Sequence, residues 1–164
     1  MAFRELLLAE FDDEMKKTRK ILERVPEEKF AWKPHEKSMA LGRLASHTAD
    51  IPGRAASIIN TEIFVRPAGF VAFIAASSME LLERFTQASA EGRAAIESLR
   101  EDQLPVVWTL KFGEKTLLEL PRSTALRMVC LNHMIHHRAQ LGVYLRLLDV
   151  QVPGMYGPSA DDQH

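Results

Sequence analysis

LRMVCLNHMIHHRAQLGVYLRLL, residues 126–148, is the stretch of this chain that decides its predicted fold. Apolar and histidine residues recur in it at spacings of three and four, which places them along one face of a helix of about six turns. Pro121 suits the start of that helix, because a first helical turn does not need the missing N–H. The stretch therefore predicts a long last helix with two histidines in its inward seam, which consists of Leu126, Cys130, His133, His137, Leu141, Tyr144 and Leu148.

Three earlier segments show the same helical spacing of apolar residues. Pro26 ends the first of them, and Ser38 is suited to cap the start of the second. Pro52 lies inside the second segment and lacks a backbone N–H, so a kink or a break is expected there. These predicted helices run from Phe3 to Val25, from about residue 39 to about residue 60, and from about residue 72 to about residue 100.

Residues 101–120 (EDQLPVVWTLKFGEKTLLEL) are the one stretch with strand-like alternation. Val106, Trp108 and Leu110 alternate with other residues ahead of a turn-like run, so a short hairpin or an irregular excursion is expected there. Elsewhere the helical pattern dominates. We therefore predict an all-α fold, an antiparallel four-helix bundle in a single domain over residues 1–164, with this short hairpin before the last helix.

Charge is balanced in this chain, since 21 Lys and Arg residues stand against 22 Asp and Glu residues, for a net charge of -1. Neither sign gathers into a long block. Concentrated positive charge is needed both for a surface that binds nucleic acid and for an electrostatic membrane anchor. We therefore expect no nucleic acid and no membrane as partners, and a small-molecule substrate or another protein instead.

Cysteine usage and hydropathy indicate the compartment. Cys130 is the only cysteine, so no internal disulfide can form and a reducing compartment fits best. Its apolar neighbours favour a small buried residue, with a thiol nucleophile as the alternative interpretation. We recognise no signal-peptide core, and no apolar run approaches the roughly 20 residues that span a bilayer. The expected location is the cytoplasm.

His133 and His137 are four residues apart, so their Cβ atoms would lie about 5–6 Å from each other on one helix face. His47 lies in the apolar stripe formed with Leu44 and Ile51. Burying three polar rings without partners would cost about 1–3 kcal/mol each, and a shared metal ion removes that cost. A hydrogen-bonded core histidine is the alternative for each residue taken singly. Taken together, the three predict a metal site.

The set of three histidine ligands also narrows the choice of metal ion. Three neutral imidazoles suit Zn, Ni, Co, Cu or Fe better than Mg or Ca, which prefer oxygen ligands. A protein that contributes only three ligands leaves at least one position open, as catalytic zinc sites do. The sequence lacks the His-Glu-x-x-His signature of zinc proteases, because no Glu follows His133.

The remaining histidines are not expected to be ligands. His136 is adjacent to His137 but lies about 100° around the helix and so faces elsewhere. His35 is in a proline-rich loop and His164 is terminal, and neither has a supporting pattern.

Three further polar residues are candidates for supporting the site. Gln140 and Asn132 could hydrogen-bond the ligand imidazoles, or they could be surface residues of the helix. Asp50, three residues after His47, could orient that ring or act as a base, or it could be a solvated carboxylate. The general base therefore stays undecided at this point.

Two runs of sequence resemble the DinB family, part of a wider DinB/YfiT-like group of metalloenzymes. They are NHMIHHRAQLGVYLRLLDVQVPGMYGPSADD at 132–162 and WKPHEKSMALGRLASHTADIPGR at 32–54. The resemblance implies that His47, His133 and His137 are the metal ligands, with nickel or zinc as the usual metal. It also implies a four-helix bundle in up-down-down-up order and a homodimer.

Related members of that family resemble transferases and isomerases that use a low-molecular-weight thiol, such as bacillithiol or mycothiol. By analogy, our leading hypothesis is a metal-dependent enzyme, a thiol transferase or a hydrolase, that activates a thiol or water at the open metal position. The alternatives are a non-catalytic, stress-related protein that binds a metal or ligand, and a dimerising bundle without metal. The fold alone does not choose among them.

Overall fold

The computed structural model describes residues 3–162, and these contain four helical segments and one three-stranded sheet. The helices are α1 (Phe3–Leu22), α2 (Leu41–Asp50), α3 (Arg54–Asn60), α4 (Ser78–Ser98), α5 (Arg122–Ala125) and α6 (Asn132–Leu147). The strands are β1 (Ile63–Arg66), β2 (Val107–Phe112) and β3 (Lys115–Pro121). A 3-10 turn at Ile51–Gly53 joins α2 to α3, and a π-helical turn at Leu126–Leu131 joins α5 to α6.

The helices pack around one apolar core. Helices α1 and α2 each contact both α4 and α6. The apolar side chains of α1 face this core, and Leu7 and Phe11 among them are almost fully buried. Burying one such side chain contributes about 1.5–3 kcal/mol. The packing of a few of them therefore contributes more to the stability of α1 than its helical propensity does. Within residues 3–162, none of the helices combines the length and the apolar character needed to cross a membrane.

The prediction of an all-α fold is wrong, because two of the connections between helices form a sheet. Strand β1 follows α3 and pairs in parallel with β2, with Ile63 opposite Thr109 and Arg66 opposite Phe112. Strand β2 pairs antiparallel with β3. Backbone N–H and C=O groups in these connections would otherwise need other partners, and pairing three short strands satisfies them.

The hairpin expected before the last helix is present as β2 and β3. Gly113 lies in its turn with a φ of +55°, a conformation that costs glycine little. Trp108 of β2 is 2% exposed, and its indole N–H donates to the Thr61 hydroxyl at 3.4 Å. The buried Arg122, just after β3, donates to the carbonyl oxygens of Ile58 at 2.9 Å and Thr61 at 3.0 Å. These bonds attach the sheet to the end of α3.

Two helix starts differ from the sequence prediction. The second helical segment begins at Leu41 with Ala40 as N-cap and no side-chain cap, so Ser38 does not cap it. The third predicted helix is α4 of the structure, and it begins at Ser78, six residues later than expected, with Ser77 as its N-cap. The Ser77 hydroxyl accepts a hydrogen bond from the Glu80 N–H at 3.2 Å, which satisfies one of the unpaired donors of the first turn.

The break expected at Pro52 is present, and it packs directly on α4. Gly92 of α4 is buried against the Pro52 carbonyl. A Cβ built on Gly92 would meet that oxygen well inside 3.0 Å and would also touch the Phe11 ring at 3.0 Å. Only a glycine allows the two backbones to come this close.

A buried ion pair attaches the C-terminal segment and α6 to α1. Arg138 is 2% exposed, and its guanidinium lies 2.6 Å from the Glu14 carboxylate. The Tyr156 hydroxyl donates to the same carboxylate at 2.9 Å. Buried pairs contribute little net stability, but breaking one leaves an uncompensated charge, so this pair restricts how α6 can sit on α1.

We expect Gly92→Ala to lower the free energy of unfolding by about 1–3 kcal/mol, because the added methyl group overpacks the Pro52 contact. Helix propensity alone predicts the opposite, a gain of about 1 kcal/mol. Chemical denaturation of both proteins measures the difference. Gly53→Ala is the matched control, since a Cβ there meets its nearest neighbour at an ordinary 3.6 Å. Equal stability of the two variants would contradict the close packing described here.

Candidate metal centre

The structure brings His47, His133 and His137 together between α2 and α6. The Nε2 atom of His133 lies 3.2 Å from Nε2 of His47 and 2.8 Å from Nε2 of His137. One nitrogen from each ring lies within 4.8 Å of the other two, and all three rings are half-buried. Three imidazole nitrogens therefore face one small volume.

This arrangement fits a divalent transition metal. Imidazole nitrogens bind zinc at about 2.0–2.1 Å in a tetrahedral set, which puts two ligand nitrogens about 3.3 Å apart. The separations of 3.2 and 2.8 Å are close to that value. Within residues 3–162, this trio is the cluster of histidine, cysteine and carboxylate groups that could hold an ion.

Gln140 determines which nitrogen of His137 carries the proton. Its side-chain oxygen lies 2.7 Å from Nδ1 of His137 and can only accept, so Nδ1 is the donor. The lone pair of neutral His137 is then on Nε2, which faces the other two rings. Gln140 thus makes the hydrogen bond that the sequence suggested. Asn132 is exposed and makes no such bond within the described residues.

Arg54 contacts His133 in a way that the sequence analysis missed. The Nη1 atom of Arg54 lies 3.1 Å from Nδ1 of His133. Arginine is always a donor, so Nδ1 accepts and the proton of neutral His133 is on Nε2. A metal on Nε2 needs the opposite tautomer, and Arg54 would then face an N–H group. The ring can therefore satisfy Arg54 or a metal, but not both in the same neutral form.

A sequence signal for Arg54 existed. It lies seven residues after His47, close to two helical turns, and so projects to the same side of the chain. The 3-10 turn at Ile51–Gly53 continues the helical path between them, which preserves this relation. A stripe of apolar residues and histidines does not indicate an arginine on the same face, so Arg54 was not predicted.

Burial keeps the three rings neutral. Burial, together with the smaller effect of the Arg54 charge, lowers the pKa of His47 from 6.5 to about 4 and that of His133 to about 3. Burial also lowers the pKa of His137, against the hydrogen bond with Gln140, which raises it. Neutral imidazoles have the free lone pair that metal binding requires.

A cavity of about 650 Å³ opens beside the cluster and is bordered by His47 and Arg54. Its size is typical of small-molecule sites. Helices α2 and α3 form one side of it, and β1, β2 and the connection before α4 form the other. Apolar residues dominate its wall, and they include Met39, Phe64, Phe70, Phe73, Trp108, Leu110 and Phe112. Basic residues also line it, namely Arg43, Arg54, Arg66 and Arg84.

Asp50 does not orient His47. Its carboxylate accepts hydrogen bonds from Nε of Arg84 at 2.7 Å and from a second nitrogen of the same guanidinium. This pair lies at the edge of the cavity, since both residues line it. Asp50 therefore pairs with Arg84 and makes no hydrogen bond to the imidazole cluster.

The other histidines stay outside the cluster. His136 is exposed, and its ring centre lies 4.9 Å from that of His137. His35 is in the exposed loop before α2, where its Nδ1 accepts from the Lys37 N–H at 3.2 Å. His164 lies outside the described residues.

Cys130 is a packing residue in this structure. It is 1% exposed, and burial raises the pKa of its thiol to about 12. The thiol therefore stays protonated at neutral pH, which opposes the alternative of a thiol nucleophile. Cys130 lies in the π-helical turn at Leu126–Leu131, just ahead of His133. Such turns widen a helix by one residue, and they are frequent at functional sites.

Comparisons with known proteins indicate the family and the fold of this chain. The DinB family model matches residues 1–164. A Bacillus subtilis protein described as uncharacterized protein YrdA is 26% identical over 163 residues, covering 94% of this chain and 89% of that protein. A DinB-like protein from Bacillus cereus has a TM-score of 0.71 at 20% identity, over 93% of this chain and 97% of its own. DinB-like YjoA from Bacillus subtilis has a TM-score of 0.70 at 20% identity, over 94% of this chain and 99% of its own.

We expect the metal-free protein to lose stability as the pH falls from about 6.5 toward 4. Across this window the unfolded chain protonates His47 and His133, whereas the folded chain does not, because their pKa values are lowered to about 4 and about 3. This destabilisation is absent above the unfolded pKa of 6.5. Urea unfolding at several pH values measures the slope.

His47→Asn should reduce that slope, because it removes one of the three histidines whose pKa burial lowers. His35→Asn provides the comparison, since it removes a histidine from an exposed loop outside the cluster. If His47→Asn and His35→Asn changed the slope equally, the cluster would not be the source of the acid sensitivity.

Proposed function

The chain belongs to the DinB family, and from this premise we propose that it is a metal-dependent enzyme whose metal is held by His47, His133 and His137. The metal would be a divalent transition metal, nickel or zinc. Bound there, it would supply Lewis-acid chemistry and lower the pKa of a thiol or water in its open position, which provides a nucleophile. The reaction would be thiol transfer or hydrolysis of a small electrophilic substrate.

The observation that carries this proposal is the convergence of three Nε2 atoms beside an open cavity. Each nitrogen reaches the shared volume from a half-buried ring. Gln140 holds His137 in the tautomer that a metal requires, at a hydrogen-bond distance of 2.7 Å. Partners of this kind orient ligand rings and strengthen metal binding in known sites.

The cavity favours an enzyme over a non-catalytic metal-binding protein. A structural metal site is closed by a fourth protein ligand, whereas a catalytic site keeps a position open. Here the three histidines are the ligand candidates within the described residues, and a cavity of about 650 Å³ borders His47. A substrate in that cavity would lie next to the open position.

Thiol transfer is preferred over hydrolysis by family analogy, with a low-molecular-weight thiol as the partner. A homodimer in the cytoplasm is also part of the proposal. The lone, buried Cys130 is consistent with a reducing compartment. Light scattering of the purified protein would test the dimer.

We expect His137→Ala to abolish stoichiometric metal binding. Metal binding to the folded state is linked to stability, at about 4 kcal/mol when the free metal exceeds its dissociation constant a thousandfold. Added zinc should therefore raise the Tm of the wild type but not that of the variant. Mass spectrometric metal analysis, on untagged protein purified without nickel resin, measures occupancy directly.

His136→Ala is the matched control, because its exposed ring is adjacent in sequence but lies outside the cluster. It should keep both the metal and the zinc-induced rise in Tm. Full metal content in His137→Ala would refute the ligand assignment, and metal loss in both variants would point to a general effect on α6.

We expect the metal-loaded protein to accelerate conjugation of a thiol with 1-chloro-2,4-dinitrobenzene. In that reaction a sulfur–carbon bond forms, chloride leaves and the thiol proton passes to solvent. Cysteine, glutathione and bacillithiol are compared by the absorbance of the product. Metal-free protein, His137→Ala and free zinc at equal concentration are the controls. A rate no greater than that of free zinc for every thiol would refute thiol transfer for this substrate.

A further inference from the structure

The cavity beside the histidines carries an excess of positive charge. Four arginines line it, against two carboxylates, Asp50 and Glu91. Asp50 already pairs with Arg84, and Glu91 is exposed and accepts from Gln87 at 2.9 Å. The other three arginines of the cavity, Arg43, Arg54 and Arg66, form no ion pair with a carboxylate within residues 3–162.

Arg54 is the most constrained of these cations. It is half-buried, and its hydrogen bonds within the described residues come from one nitrogen, Nη1, to His133 at 3.1 Å and to the Val129 carbonyl at 3.5 Å. Burial and the charge of Arg66 both lower its pKa, and Arg66 lines the same cavity. An anion in the cavity would offset this positive charge and accept from the Arg54 donors that remain.

Aromatic side chains line the same cavity, and the Arg66 guanidinium lies over the Phe70 ring, 4.9 Å from its centre. Phe64 and Phe73 are half-buried, while Phe70 and Phe112 remain 47% and 46% exposed. Exposed aromatic side chains that gather around a concave site usually mark a binding surface. The cavity thus brings cations and aromatic rings together.

We propose that this cavity binds a small organic oxyanion, a carboxylate, sulfonate or phosphate carried on an apolar ring, with Arg54 and Arg66 on the charged group and the phenylalanines on the ring. The inference deepens the proposed function, on which it rests, by naming the class of its substrate. Guanidinium groups bind such oxyanions through paired, charge-assisted hydrogen bonds. The ring would occupy the apolar wall beside His47.

Metal binding would reinforce this preference. Three neutral imidazoles do not neutralise a divalent ion, so a loaded site would add positive charge beside the arginines. A metal on Nε2 of His133 would also place a proton on Nδ1 of that ring, so Arg54 could no longer donate to it. The Arg54 guanidinium would then be free to turn toward a ligand in the cavity.

The test compares 2-naphthoate with its neutral analogue 2-naphthamide by calorimetric titration of metal-free protein. We expect naphthoate to bind at least tenfold more tightly than naphthamide, with the difference shrinking as sodium chloride is added. Arg66→Gln and Arg54→Gln should each remove most of that difference by weakening naphthoate binding much more than naphthamide binding. Arg66 lies on the edge strand β1, so its variant retains a readout if Arg54→Gln is destabilised.

Arg24→Gln is the matched control, because it removes the same charge from an exposed position remote from the cavity. It should leave the preference for naphthoate intact. Equal binding of the two probes would overturn the proposal, as would a preference that survives both cavity substitutions.

A parallel zinc titration separates this inference from the proposed function. If naphthoate is preferred but zinc does not bind, the oxyanion site stands and the metalloenzyme proposal fails. If zinc binds but naphthoate is not preferred in metal-free protein, the oxyanion site fails and the metal site stands. A preference that appears only after zinc is added and ignores both arginine substitutions would assign the anion to the metal, which also overturns the proposal.

Discussion

The close approach of three imidazole nitrogens constrains the rest of the structure. His47 comes from α2, and its two partners come from α6, so the site exists only if these helices keep a fixed relation. Two contacts that lie outside the site limit the movement of these helices. The Pro52 turn packs on Gly92 of α4 and holds the end of α2, and the buried pair of Glu14 and Arg138 holds α6 on α1. Arg138 is next to His137 in sequence, so the ion pair acts within one residue of the cluster.

Metal binding by the histidine cluster conflicts with the hydrogen bond that Arg54 makes to it. Burial keeps the rings neutral, which suits a metal, but Arg54 binds His133 through the nitrogen that must carry a proton once a metal is bound. The contact with Arg54 therefore belongs to the metal-free protein. Occupancy of the site and orientation of Arg54 are linked, because one ring cannot satisfy both. This link connects the imidazole cluster to the cavity, since Arg54 borders both.

The sequence predicted those parts of the molecule that depend on local periodicity. Spacing alone put His133 and His137 on one face, and Pro52 correctly indicated the break after His47. The hairpin was visible because its strands are adjacent and joined by a glycine turn. Strand β1 was missed because its four residues are too few to show alternation, and its partner β2 lies about 40 residues later in the chain. Arg54 was missed because a pattern of apolar residues does not report a cation buried beside a histidine.

The residues around the cavity add chemistry that the histidines do not supply. The histidines define what could be bound at the centre, but the cavity wall is built by β1, β2 and the connection before α4. The solved DinB-like proteins share the fold at 20% identity, a level at which the residues of such a wall can change freely while the helices keep their packing. Selection of a ligand therefore depends on Arg54, Arg66 and the aromatic residues of the sheet more than on the histidines. Strands β1 and β2, which an all-α fold lacks, line the cavity that borders the histidine cluster.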